Sequence, residues 1–137
     1  MRVLHILNRI HEEGNGITNV AVDLACAQRA AGHDVLVCSA GGELEELLER
    51  HGVLHSSLVQ RRTAPTLLRA AQRFRREARR FRPDIVHAHM MTGAVLVRFG
   101  AVRPPYHLVT HVHNEFQRSA VLMGVGDRVI AVSTAVA

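Results

Sequence analysis

The stretch MRVLHILN (residues 1–8), followed by EGNGI (residues 13–17), decides the fold. An apolar run feeds a glycine-bearing turn, and Ile17, Val20, Ala21, Leu24 and Ala25 then recur at helical spacing. Strand, glycine turn and helix together build an anion site. Gly14 and Gly16 let backbone N–H groups approach a ligand, and the helix that follows adds the positive end of its dipole. Gly14, Asn15 and Gly16 are therefore expected to meet a phosphate. A dinucleotide is not expected: the third glycine of that fingerprint falls at Asn19, and the second strand ends in Cys38-Ser39-Ala40 rather than a ribose-binding acid. Asp34 opens that strand, at the wrong end of the sheet.

Outward from this stretch, strand and helix signals alternate to the end of the chain. Gly32 closes the first helix, an apolar strand covers 34–39, and Leu44, Leu47 and Leu48 mark a short helix ended near Gly52. A weaker strand covers 53–59. Pro65 opens a long helix with the apolar stripe Leu67, Ala71, Phe74, Ala78 and Phe81, and Pro83 stops it. Strands over 84–87, 107–112 and 128–132 follow, with a helix over 92–101. Strands separated by helices pair in parallel. The expected fold is α/β: one Rossmann-like domain spanning 1–137, with a doubly wound parallel sheet and helices on both faces. Ligands of such sheets lie beyond the carboxyl ends of the strands, which gathers 14–16, 87–91 and 111–115 on one rim. Residues 133–137 read as a cap and one helical turn, an end expected inside a larger protein.

Composition narrows the class. A net charge of +5 arises from arginine alone, since the chain has no lysine. No apolar stretch is long enough to span a bilayer, and His5, Asn8 and Arg9 interrupt any signal-peptide core, so a cytoplasmic location is expected. Cys26 and Cys38 fall inside a helix and a strand and are expected as buried thiols, not a disulfide. With no Trp and one Tyr, base stacking has little to work with, and nucleic acid is not an expected partner.

Two H-x-H pairs stand out, His87/His89 and His111/His113. Alternation sends His111 and His113 to the same face of their strand. Four imidazoles on one rim suit zinc, but Glu115 is the only nearby carboxylate and neither cysteine belongs to the rim, so no metal and no cofactor is assigned. His89 is expected to line a cleft and His87 to pack at the strand end. The long helix places Arg69, Arg73, Arg76 and Arg80 on one side, with Arg75, Arg79 and Arg82 beside them. Such a face is either simply solvated or drawn to anionic lipid head groups.

Five patterns in order resemble the N-terminal domain of retaining nucleotide-sugar glycosyltransferases of the GT-B architecture, the group 1 or family 4 enzymes. They are the opening MRVLHI strand, the glycine loop leading to AGHDV (31–35), RPDIVHAH (82–89), LVTHVHN (108–114) and DRVIAVS (127–133). Asn15 stands where the family often has the first of two glycines; asparagine tolerates left-handed backbone well enough to keep the turn. The resemblance implies an acceptor-side domain. It also implies that a C-terminal domain, absent from this chain, carries most of the donor site, so that this chain alone is inactive. A sugar would pass from a nucleotide-diphosphate donor to a carbohydrate or lipid-linked acceptor, in cell-envelope or polysaccharide synthesis. His113 is implied as the catalytic residue near the transferred sugar, with His89, Asn114 and Glu115 along the acceptor cleft. The implied location is cytoplasmic, including the inner face of the membrane. Two other classes stay open: a non-catalytic carbohydrate- or nucleotide-binding domain, and a small metal-dependent hydrolase using the two H-x-H pairs.

Overall fold

The computed structural model describes residues 1–11, 16–100, 105–113 and 118–131. Six strands form one sheet: β1 (Arg2–Ile6), β2 (Asp34–Ser39), β3 (Leu54–Ser57), β4 (Ile85–Ala88), β5 (His107–Val112) and β6 (Arg128–Ala131). Their order is β3-β2-β1-β4-β5-β6 and every pairing is parallel. The expected doubly wound Rossmann-like sheet is therefore present. Four α-helices connect the first five strands: α1 (Gly16–Ala30), α2 (Glu45–Arg50), α3 (Ala64–Phe81) and α4 (Met91–Gly100). A 3-10 stretch at Arg118–Val125, not foreseen from the sequence, leads to β6.

Strand alternation divides the interior in two. Leu4, Ile6, Leu36, Cys38, Val86, Ala88 and Leu108 join Phe74 and Phe81 of α3 and Val97 of α4 in the larger core. Val35 and Val37 face the other way and meet Ala21, Val22 and Ala25 of α1 and Leu48 of α2. Phe74 is fully buried, edge-on to Tyr106 at 6.1 Å between ring centres. Of the α3 stripe, Phe74 and Phe81 are buried and Ala71 and Ala78 pack against the core, whereas Leu67 lines a surface groove and Ala70, not expected, is buried. Arg82 takes the left-handed cap conformation (φ 50°) just before Pro83.

Several expectations need correction. Val20 is exposed; α1 instead buries Thr18 and Val22, a rotation of its apolar face by about one residue. The third strand is shorter than 53–59, because Val53 and Leu58 turn into the two cores at its ends. Cys38 is buried, and burial pushes its thiol up to about 12, but Cys26 on α1 is only half-buried. His87 lies within β4, not at its end.

Candidate functional site

The topological switch of the sheet lies between β1 and β4, where ligands of doubly wound folds gather. There the side chains turned away from the larger core are imidazoles. His5 of β1 stands beside His87 of β4, and His111 lies on β5. His89 and His113 continue the two rows just past the strands. Alternation explains the arrangement: Leu4, Ile6, Val86, Ala88, Leu108 and Val112 occupy the intervening positions and seal the opposite face.

The five rings form one stack. His87 lies on His89 with ring centres 4.2 Å apart, and His111 lies on His113 at 4.0 Å. The two pairs meet through His87–His111 at 5.4 Å and His89–His113 at 5.7 Å, and His5 flanks the first pair at 5.2 and 5.3 Å. His5, His87, His89 and His111 are buried, whereas His113 is half-exposed and forms the mouth of the group.

Burial keeps all five neutral at pH 7. It lowers His5 to about 4, against the opposing effect of its hydrogen bond to the Gln28 amide oxygen. It lowers His87 to about 3, with repulsion from His5, His111 and His113 adding to the effect. His89 is held well below the usual imidazole range for the same reasons, His111 is lowered by burial, and His113 falls to about 4 through burial and then His111.

A neutral imidazole has one N–H and one lone pair, so one fixed neighbour sets a whole chain. Gln28 of α1 turns its amide oxygen to His5 Nε2 at 2.7 Å, an assignment that makes Nε2 the donor. His5 Nδ1 then accepts from His89 Nε2–H at 2.9 Å. His89 Nδ1 is left with a lone pair, 3.4 Å from His113 Nε2. Among the described residues, His87 Nε2 and His111 Nδ1 are buried without a hydrogen-bond partner.

A second feature occupies the same rim beyond β1, β2 and β3. A polar cleft of about 410 Å³ is lined by Asn8, Arg9, His11, Gly41, Gln60 and Arg61, among others. Gln60 Nε2 donates to the Leu7 carbonyl at 3.0 Å, which leaves its buried Oε1 without a partner among the described residues, as is Asn8 Oδ1. Neither this cleft nor His5 was expected. The one signal for His5 is a lone polar residue inside an apolar strand.

Gly16 is the first residue of α1; a side chain there would meet nothing within 4 Å, and its φ lies outside the left-handed region. It leaves open space at the helix start rather than enabling a strained turn. Gly14, Asn15, Asn114 and Glu115 lie outside the described residues. His89, expected to line a cleft, is instead 2% exposed, with its Nδ1 3.4 Å from Nε2 of the half-exposed His113. Arg69, Arg73, Arg76 and Arg80 are all exposed on α3, as expected. A groove of about 560 Å³ runs between α3 and α4, lined by Leu68, Val95, Phe99, Arg62 and Arg75 among others; none of Arg69, Arg73, Arg76 and Arg80 lines it. Among the described residues no helix is long and apolar enough to cross a membrane.

Sheet order, crossover helices and a polar rim at the carboxyl ends define a Rossmann-like domain of the kind that forms the N-terminal half of GT-B glycosyltransferases. The chain belongs to glycosyltransferase family 4, whose family model matches residues 14–137. No curated protein sequence matches it significantly. Among solved structures it is similar to Anabaena HepE in complex with UDP, at 20% identity and TM-score 0.69, covering 99% of this chain and 39% of HepE. HepE has also been crystallised with UDP-glucose and with UDP and glucose. A glycosyltransferase from Rickettsia africae is similar at 20% identity and TM-score 0.75, covering 96% of this chain and 36% of that one. The lipopolysaccharide outer core galactosyltransferase WaaB is 11% identical with TM-score 0.77, covering 99% of this chain and 40% of WaaB. The chain thus spans about two-fifths of the length of these structures.

Proposed function

We propose that this chain is the acceptor-side half of a retaining glycosyltransferase that moves a sugar from a nucleotide-diphosphate donor to a carbohydrate or lipid-linked acceptor. The observation that carries the reading is His113, a half-exposed neutral imidazole at the β5 terminus on the ligand-binding rim of a family 4 domain. The HepE complexes support a nucleotide sugar as the donor class.

In this reading a second domain binds most of the donor, and closure of the two halves brings Gly14, Asn15 and Gly16 against its phosphate or sugar. His113 meets the transferred sugar. With Nε2–H turned toward His89, its Nδ1 accepts a hydrogen bond from a sugar hydroxyl and fixes the ring for transfer. His89, the adjoining Asn114 and Glu115, and the Arg9–Arg61 cleft belong to the acceptor side. Water exclusion on closure strengthens each of these contacts. No cofactor is required. The exposed arginines of α3 suit peripheral attachment to the inner face of a membrane, where a lipid-linked acceptor would lie.

The test uses this domain joined to its donor domain and a panel of nucleotide sugars, with product formation as readout. His113→Ala is expected to lower turnover about a hundredfold or more while donor affinity changes little. An unchanged rate removes His113 from the reaction. Donor binding without turnover by the wild-type protein favours a binding domain instead.

A further inference from the structure

We propose that His89, His111 and His113 form a binding site for a divalent transition metal of the zinc class. The proposal stands on geometry and does not depend on the transferase reading. Each of the three offers one ring nitrogen, and these atoms all lie within 4.8 Å of one another. Two ligand nitrogens about 2.1 Å from a tetrahedral ion stand about 3.4 Å apart. His89 Nδ1 and His113 Nε2 already have that separation, 3.4 Å, which is long for a hydrogen bond between rings.

Orientation supports the same conclusion. The hydrogen bonds from Gln28 through His5 place the proton of His89 on Nε2, so its Nδ1 lone pair is aimed at the site. Metal-binding imidazoles are commonly held in this way by a partner on the far nitrogen. His111 Nδ1 is buried with no hydrogen-bond partner among the described residues, so part of its desolvation cost stays uncompensated until something binds it. His113, half-exposed, provides the route of entry. Three imidazoles leave a fourth position for water or a ligand atom.

The donor set selects the class of ion. Neutral nitrogen ligands without a carboxylate suit Zn²⁺, Co²⁺ or Ni²⁺ and do not suit Mg²⁺ or Ca²⁺, which take oxygen. Occupation would also move the His113 proton to Nδ1, so the ring would present a donor, not an acceptor, to the rim.

The test is titration of the metal-stripped chain with Zn²⁺ alone by calorimetry, and with Co²⁺ by visible absorption. One ion per chain, with the intense visible bands of a tetrahedral Co²⁺ site, is the expected result, and Mg²⁺ should give no heat. His111→Asn and His113→Asn should each weaken Zn²⁺ binding at least tenfold, whereas His51→Asn, remote on α2's cap, should not. His113 is half-exposed, so its variant keeps the test valid if the His111 variant fails to fold. Wild-type protein that takes up no Zn²⁺, or a folded His113→Asn variant that binds as tightly as wild type, overturns the site.

Discussion

Gln28 Oε1 on α1 lies 2.7 Å from His5 Nε2 on the central strand, and this pair joins the helical layer to the imidazole stack. His5 is wholly buried. Gln28→Leu therefore strands a buried N–H, and we expect a loss of about 1–3 kcal/mol in chemical denaturation. A variant as stable as wild type would mean that His5 finds another partner.

Acid should destabilise the fold early. The folded values of His5 and His87 lie near 4 and 3, below the ordinary 6.5, so both states are neutral above pH 6.5. As pH falls below that point the unfolded chain takes up protons that the folded chain refuses. Stability is therefore complete above about pH 6.5 and declines toward pH 4, by about 1.4 kcal/mol per pH unit for each such ring. Denaturant midpoints measured between pH 8 and 4.5 with a chelator present check the slope; a flat profile would contradict it.

Gly42 should not tolerate a side chain. Its φ is +157°, and a Cβ would lie 2.6 Å from the Ile10 carbonyl carbon, whose oxygen accepts from Leu44 N–H at 3.2 Å. Backbone cannot retreat as a side chain can. Gly42→Ala is expected to cost about 1–3 kcal/mol, read from thermal or denaturant unfolding.

The cationic face of α3 gives a separate prediction. Each arginine near an anionic bilayer contributes roughly 1 kcal/mol, so Arg73→Glu with Arg76→Glu should weaken binding to phosphatidylserine vesicles more than tenfold. Flotation or cosedimentation at low salt measures it. Equal binding by wild type and variant removes the membrane proposal.

Much of the fold was legible because its signals are local. Strands β2 and β5 fall where the apolar runs place them, and the α3 stripe reads directly from Ala71 to Phe81. The phase of α1 was not legible: alanine-rich and nearly uniform in polarity, it lets packing against the sheet choose Thr18 and Val22 over Val20. The 3-10 stretch depends on a distant contact, in which Thr110 Oγ1 donates to the Met123 carbonyl at 2.5 Å. The two H-x-H pairs were visible, but their union with His5 was not. His5 and His89 are 84 residues apart, and only the strand order brings β1 beside β4.

That shared parity of the imidazoles has an evolutionary corollary. Every histidine of the stack sits one step out of phase with a residue that seals the larger core. Substitutions in β4 or β5 therefore act one side chain at a time, but inserting or deleting a single residue within either strand would exchange whole faces, putting imidazoles in the hydrocarbon and leucine or valine at the rim. Descendants of this chain should vary in these strands by replacement, and change length only in the loops beyond them.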